Sequence, residues 1–318
     1  MAPRKIVHDC DPGQDDAMAL WLELASPEIF EVLAVTTVAG NAPLERTTEN
    51  ARRIVEAAGH ADLPVHPGCP RPLRRPLTTS AGFHGESGID GSNLPPAWLH
   101  PEETHAVEYL VEMLGQCEEP ITIIATGPLT NVASAVAGSP GIVEKIAEVV
   151  LMGGSLGRGN VTPSAEFNFH TDPDAAAIVF EAGFKITMLG LDVTRQARAT
   201  PSRIATIEAL GNPVARAAAG MLRYSLEYVS KRGQPGPAVH DVLAPAYLAR
   251  PELFRTRPAH IRVLAWGETD LGRCVELKGR SPNAEVVEHV DADGLFALLN
   301  DRYKRYKRAR ARNNPWHR

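Results

Sequence analysis

The sequence predicts a single α/β domain: a mostly parallel central sheet flanked by helices, with a helical C-terminal part. Three observations predict it. Short apolar, β-branched runs recur through the first part of the chain, helix-like stretches separate them, and the runs are nearly continuous in apolar residues. Strands that alternate with helices form parallel units, and only strands buried on both faces carry unbroken apolar runs.

The elements follow in order. KIVHDC, FEVLAVTTVAG, ITIIAT, AEVVLMGG and KITMLGL read as strands. DDAMALWLELA, LERTTENARRIVEAAG, THAVEYLVEMLGQC, TNVASAVAG and PDAAAIVFEAG read as the helices between them. Gly59 and Gly183 stand where helix C-terminal stops belong. From residue 201 the pattern turns helical, with PSRIATIEAL, NPVARAAAGMLRYSLEYVSKRG and DVLAPAYLAR interrupted by the loop QPGPA at 234–238. RVLAW and CVELKG read as late strands forming an antiparallel edge pair, and DADGLFALLNDRY as a closing helix. No repeat, linker or low-complexity segment divides the chain. The expected organisation is one domain over 1–305 and a basic, disordered tail over 306–318.

Bulk properties exclude several classes. Hydrophobic residues make up 44% of 318, enough for a sizeable core, and the net charge of −5 selects no partner. Eight of the 33 Lys/Arg fall in 302–318 with no acid among them. That segment reads as a fraying, solvated end more readily than as a nucleic-acid contact. Cys10, Cys69, Cys117 and Cys274 are far apart and show no zinc spacing. No apolar stretch suits a signal peptide or a membrane span. A soluble, reducing, cytoplasmic setting is expected.

Residues 7–20 read VHDCDPGQDDAMAL. Asp9, Asp11, Asp15 and Asp16 straddle a Pro-Gly turn between the first strand and the first helix. Acids are welcome at a helix N-terminus, which accounts for Asp15 and Asp16. It does not account for Asp9 and Asp11. Crowded carboxylates resist joint ionisation, a divalent cation removes the conflict, and all-oxygen ligands suit Ca²⁺ or Mg²⁺. Other strand tips add polar groups: Asn41 after TTVAG, Thr126 before a Gly-Pro turn, Met152 before two glycines. Each alone is a turn, whereas together such tips build a cleft at the carboxyl edge of the sheet.

Three further stretches carry chemistry. In GNVTPSAEFNFHTDPDAA (159–176), an extended AEFNFH would place Glu166, Asn168 and His170 on one face and Phe167 and Phe169 on the other. A carboxylate beside an amide can hold vicinal hydroxyls; the plainer reading is a solvated edge strand. AVHDVLAPAYL sets His240 beside Asp241 at a helix start, after a Gly/Pro loop. FHGESGIDGS is Gly-rich, contains His84, and reads as a flap. Tyr224 and Tyr228, four apart on one helix face, either reach the same cleft or pack elsewhere.

Taken together, DCDPGQDDAMAL, TTVAGN, HGESG, ATGPLTN, MGGS, GNVTPSAEFNFHTDP and VHDV resemble the nucleoside N-ribohydrolases of the inosine-uridine type, in this order and from residue 5 to about 300. The resemblance implies a Rossmann-like sheet, Ca²⁺ at the strand tips, and hydrolysis of ribonucleosides to ribose and free base. It implies that Asp11, Asp16 and Asp241 bind calcium through side chains and Thr126 through its carbonyl. It implies Asp15 as the base that takes a proton from the metal-bound water, and His240 as the acid at the leaving base. Asn41, Asn160, Glu166 and Asn168 would hold the ribose, Met152 would line the sugar pocket, and His84 would reach the base from the flap. Asp9 would stand behind the metal. A ribonucleoside substrate, a homodimer or homotetramer, and no membrane or nucleic-acid partner complete the expectation. Two rivals are a non-catalytic Ca²⁺-dependent ribose- or nucleoside-binding protein and a haloacid-dehalogenase-type phosphatase. The second fits poorly, because Asp9-Cys10-Asp11-Pro12-Gly13 lacks its usual continuation and leaves Asp15-Asp16 unexplained.

Overall fold

Along the computed structural model, which describes residues 2–80, 85–267 and 270–307, strands and helices alternate as the apolar runs require. The strands are β1 (Arg4–Cys10), β2 (Phe30–Thr37), β3 (Val65–Pro67), β4 (Ile121–Ala125), β5 (Ile146–Met152), β6 (Ile186–Leu189), β7 (Phe254–Ala259), β8 (Ile261–Val263), β9 (Cys274–Glu276) and β10 (Ala284–Val290). The helices are α1 (Gln14–Leu24), α2 (Leu44–Ala57), α3 (Ala106–Gln116), α4 (Thr130–Gly138), α5 (Phe167–Thr171), α6 (Pro173–Glu181), α7 (Leu191–Thr194), α8 (Pro201–Glu208), α9 (Pro213–Ser230), α10 (Leu243–Ala249) and α11 (Ala292–Tyr303).

Eight strands form one sheet in the order β3-β2-β1-β4-β5-β6-β10-β7. All neighbours are parallel except β10 and β7. The chain winds outward from β1 to β3, then returns to lay β4 on the other side of β1. The β1/β4 boundary is therefore the topological switch point, where loops from neighbouring strands diverge and leave a crevice.

Strand alternation divides the core in two. Ile6, Cys10, Ile124 and Val150 pack on one face, with Trp21 of α1 and the C-terminal helices. Val7, Ile123, Ala125, Val149 and Leu151 pack on the other, with helices α4 and α6. Burial on both faces explains the unbroken apolar runs.

Local chemistry sets the helix ends. Asp172, Thr200 and Asn212 cap α6, α8 and α9, each followed at once by a proline at the first helical position. Gly59 and Gly183 follow α2 and α6 with φ of 82° and 99°, the left-handed conformation that ends a helix most easily at glycine.

Two expectations are corrected. RVLAW and CVELKG do pair antiparallel, as β8 and β9, but in a separate two-stranded sheet and not at the edge of the main one. The main sheet is edged by β3 and by β7, FRTRPA, whose charges and proline hide it as a strand and suit an edge. AEFNFH is not extended: Glu166 caps the short helix α5.

The packed chain also runs past residue 305. Tyr303 Oη donates to the Met18 carbonyl and Tyr306 Oη to the Trp21 carbonyl, each at 2.8 Å, so Tyr306 belongs to the body and not to the tail. Residues 308–318 lie outside the described residues. Ending the chain at Lys307 is expected to leave the melting temperature unchanged. Ending it at Arg305 removes one partly buried ring and its hydrogen bond, and should cost about 1–3 kcal/mol in denaturant unfolding. Equal stability of the two truncations would contradict the packing role of Tyr306.

Candidate active site

The site begins with β1. Its alternation sends His8 toward α1 and Asp9 toward α4. Asp9 Oδ1 accepts hydrogen bonds from Thr36 Oγ1 (2.6 Å) and Asn131 Nδ2 (2.8 Å), while Asp9 Oδ2 has no partner among the described residues. Burial pushes the Asp9 carboxyl up to about 6 despite these donors.

After β1 the chain turns through Pro12-Gly13 into α1. Asp11 Oδ2 accepts the Asn41 backbone N–H at 2.7 Å, and its buried Oδ1 has no partner among the described residues. Gly40 permits this approach, since a Cβ there would lie 2.0 Å from Asp11 Oδ2. Asp16 closes the first turn of α1: its Oδ2 accepts the Gly13 N–H (2.8 Å) and its Oδ1 the Thr126 hydroxyl (2.7 Å). Thr126 stands at the end of β4, held there by its own N–H on the Asp9 carbonyl at 2.9 Å. Asp241, just before α10, is buried against Asp16 and hydrogen-bonds its side chain.

Ligand atoms of Asp15, Asp16 and Asp241 lie within 4.8 Å of one another. Burial, and then the charge of Asp16, lifts the Asp11 carboxyl well above the ordinary range. Burial and Asp15 lift Asp16, and burial with Asp15, Asp16 and Asp11 lifts Asp241 well above it. Such a cluster, all oxygen and carrying an orphaned buried acceptor on Asp11, fits a hard divalent cation.

These tips open into a cavity of about 380 Å³, the size of a small-molecule site. Asp15, Asn41, Thr126, Met152, Asn160, Glu166, Asn168, His240 and Asp241 line it, so nine of the twelve site residues expected from sequence converge on its wall. Asp11 and Asp16 stand beneath that wall. His84 lies outside the described residues.

Several wall residues are themselves held. Asp15 Oδ2 accepts the backbone N–H of His240 at 3.0 Å, and Thr194 Oγ1 sits 2.7 Å from His240 Nδ1. Glu166 accepts three backbone N–H groups, from Gly154, Asn168 and Phe169, yet burial still pushes its carboxyl up to about 7. Asn168 Nδ2 donates to the Thr126 carbonyl (2.8 Å) and the Met152 carbonyl (3.0 Å). Ser80 Oγ donates to Asn41 Oδ1 at 2.7 Å.

The helix at α5 redistributes its residues. Glu166 and Asn168 still meet, but through the cap and first turn. Phe167 turns to the cavity, Phe169 packs on Phe180, and His170 leaves the wall. Tyr228 reaches the cavity, whereas Tyr224 is exposed.

Sequence reasoning missed a second group. Arg195, Arg198 and Gln234 line the outer wall. Arg195 donates to the Gly159 carbonyl and Arg198 to Gln234 Oε1 and the Gly236 carbonyl. Nothing in their local spacing marks them. It also missed His8 and Glu23, buried under the carboxylates with His8 Nδ1 2.6 Å from Glu23 Oε1. A histidine inside an apolar strand was the available signal. Burial would lower the His8 pKa, but the charge and hydrogen bond of Glu23 outweigh it and the pKa is raised.

Comparison with known proteins follows the same outline. Residues 6–297 match the family model described as inosine-uridine preferring nucleoside hydrolase. The chain is 43% identical over 307 residues to the pyrimidine-specific ribonucleoside hydrolase RihA of Escherichia coli O1:K1 / APEC, covering 95% of this chain and 98% of that one. Among solved structures, a plant nucleoside hydrolase, PpNRh1, superposes with a TM-score of 0.89 at 30% identity, covering 95% of this chain and 99% of that one. A purine-preferring ribonucleoside hydrolase from Gardnerella vaginalis does so with the same score and identity, covering 95% and 98%.

The raised carboxyls set a pH dependence. Folding raises the pKa of Asp9, Asp11, Asp16, Asp241 and Glu166, so the folded state binds more protons than the unfolded one above the ordinary carboxylate range. Their contribution to stability is present below the unfolded pKa, near 3.8 for aspartate, and is lost as pH rises through the folded values, about 6 for Asp9 and about 7 for Glu166. Chelator-treated protein should therefore melt several degrees higher at about pH 5.5 than at about pH 8, and added divalent cation should flatten the profile. A chelated protein with a flat profile would contradict the clustering.

Proposed function

This chain belongs to the inosine-uridine preferring nucleoside hydrolase family, and on that premise we propose that it hydrolyses the N-glycosidic bond of ribonucleosides, pyrimidine ribonucleosides foremost, with Asp15 as general base, His240 as general acid and calcium at the strand tips. Ribonucleoside hydrolysis is the activity of the family. The observation that carries the detailed reading is one cavity whose wall joins the Asp15 and Asp241 carboxylates to Glu166, Asn168 and His240.

The carboxylates of Asp11, Asp16 and Asp241 and the carbonyl of Thr126 would hold the ion. When bound, it supplies the positive charge that offsets the carboxylates, acidifies a water and grips ribose hydroxyls.

The chain's own groups do the rest. Asp15, the one partly exposed member of the opening four acids, takes the proton of the attacking water at its carboxylate. Asn41, Asn160, Glu166 and Asn168 bind the sugar hydroxyls, and Met152 packs against the sugar. The glycosidic bond breaks through an oxocarbenium-like state, which the surrounding carboxylates favour. His240, with Nδ1 held by Thr194, passes a proton from Nε2 to the departing base. The contact from the His240 N–H to Asp15 ties base and acid into one unit.

The base preference rests on two supports. The 43% identical relative is named pyrimidine-specific. The guanidinium groups of Arg195 and Arg198 make the outer wall rich in donors, which suits a base bearing carbonyl acceptors.

Reducing sugar released from uridine, cytidine, inosine and adenosine tests the reading. Uridine and cytidine should be cleaved fastest, and chelation should stop every reaction. Release from purine ribosides alone would overturn the preference, and no release from any would overturn the reading. Asp15→Asn should keep a calcium-dependent rise in Tm while kcat falls about 10²–10⁴-fold; unchanged kcat would remove Asp15 as the base. His240→Ala should lose a comparable factor on uridine but little on p-nitrophenyl riboside, whose leaving group needs no proton. Equal losses on both would remove His240 as the acid.

A further inference from the structure

We propose that His8, backed by Glu23, is a positioning residue for the metal site: through one directed run of hydrogen bonds it fixes the Asp16 carboxylate and the Thr126 turn. The proposal rests on the reading of Asp16 and Thr126 as metal ligands.

The direction of the run follows from counting protons. The Thr126 hydroxyl donates to Asp16 Oδ1 at 2.7 Å. A hydroxyl has one proton, so toward His8 Nε2, 3.0 Å away, the same oxygen can only accept. His8 Nε2 therefore carries a hydrogen. Nδ1 lies 2.6 Å from Glu23 Oε1, a contact that holds one proton whichever atom bears it. Every link is buried, with His8, Glu23 and Asp16 at 0% exposure and Thr126 at 2%, so water cannot replace a broken one.

The run also ties three elements together at the switch point. β1 supplies His8, the end of β4 supplies Thr126, and α1 supplies both Asp16 and Glu23. The last two are seven residues apart, two turns along one helix face. Asp16 Oδ2 is held by the Gly13 N–H, so the carboxylate is fixed at both oxygens and offers the remaining lone pairs in set directions. Holding the Thr126 side chain also holds the residue whose carbonyl accepts from Asn168 Nδ2 at the cavity wall.

The competing account is a polar pair that merely fills the core. On that account an apolar replacement of both members leaves the metal site as it was, and such replacements are often neutral or stabilising. Groups that orient metal ligands behave differently, and their loss typically costs about 10–100-fold in metal affinity.

Calorimetric titration of calcium into chelator-stripped protein separates the two. His8→Leu combined with Glu23→Leu should fold and bind calcium about 10–100-fold more weakly. His8→Gln, which sets an amide N–H near the place of Nε2, should recover most of the affinity, and His8→Asn, whose amide falls nearer Nδ1, should not. Wild-type affinity in the double variant would overturn the proposal. Should that variant not fold, equal affinity in His8→Gln and His8→Asn would overturn it. Wild-type protein that takes up no calcium would remove the metal reading itself and this proposal with it. The two failures are thus distinguishable.

Discussion

Burying carboxylates beside one another is the constraint on which the rest of this molecule depends. Asp9, Asp11, Asp16 and Asp241 are all buried, and an unpaired charge in such a place is expensive. The surroundings answer with donors. Thr36 and Asn131 serve Asp9, the Asn41 N–H serves Asp11, and Gly13 and Thr126 serve Asp16. The carboxyl edge of a parallel sheet is where such donors are dense, because each following helix starts there with unsatisfied N–H groups. The donors do not suffice: Asp9 Oδ2 and Asp11 Oδ1 stay without partners among the described residues. These acceptors are what the proposed cation would serve.

The sheet also supports the site from both faces. Alternation along β1 puts Asp9 on the face shared with α4 and His8 on the face shared with α1. Asn131 reaches up on one side, and the His8–Glu23 pair on the other. Glycines at 40 and 127 let the flanking turns close over Asp11, where a Cβ would collide or press against it. The precision of the carboxylates is thus a property of the sheet, and the cavity borrows it.

The cavity is electrically divided. Its lining carries the carboxylates of Asp15, Glu166 and Asp241 and the side chains of Arg195 and Arg198. On the mechanism proposed above, a glycosidic bond breaking between the two would place developing positive charge on the sugar beside the carboxylates and electron density on the base beside the guanidinium groups. Fixed charges arranged in this sense favour the charge-separated state over the neutral reactant, at no cost of reorganisation.

The sequence by itself determined the α/β class, most strands and helices, and the residues around the strand tips. These are local properties: apolar runs, caps, glycine stops, and carboxylates too crowded to be surface decoration. It misjudged AEFNFH because a capping Glu166 outweighs the alternation of a short stretch. It passed over β7 because an edge strand needs little apolar character, and it set the end of the body one residue short of Tyr306, whose packing partner is far away on α1. Only the tertiary structure decided that Arg195, Arg198 and Gln234 face the same cavity as Asp15, and that His8 lies under Asp16. Those pairings join residues remote in the chain, and their energy comes from burial and charge that exist only once the sheet has closed around them.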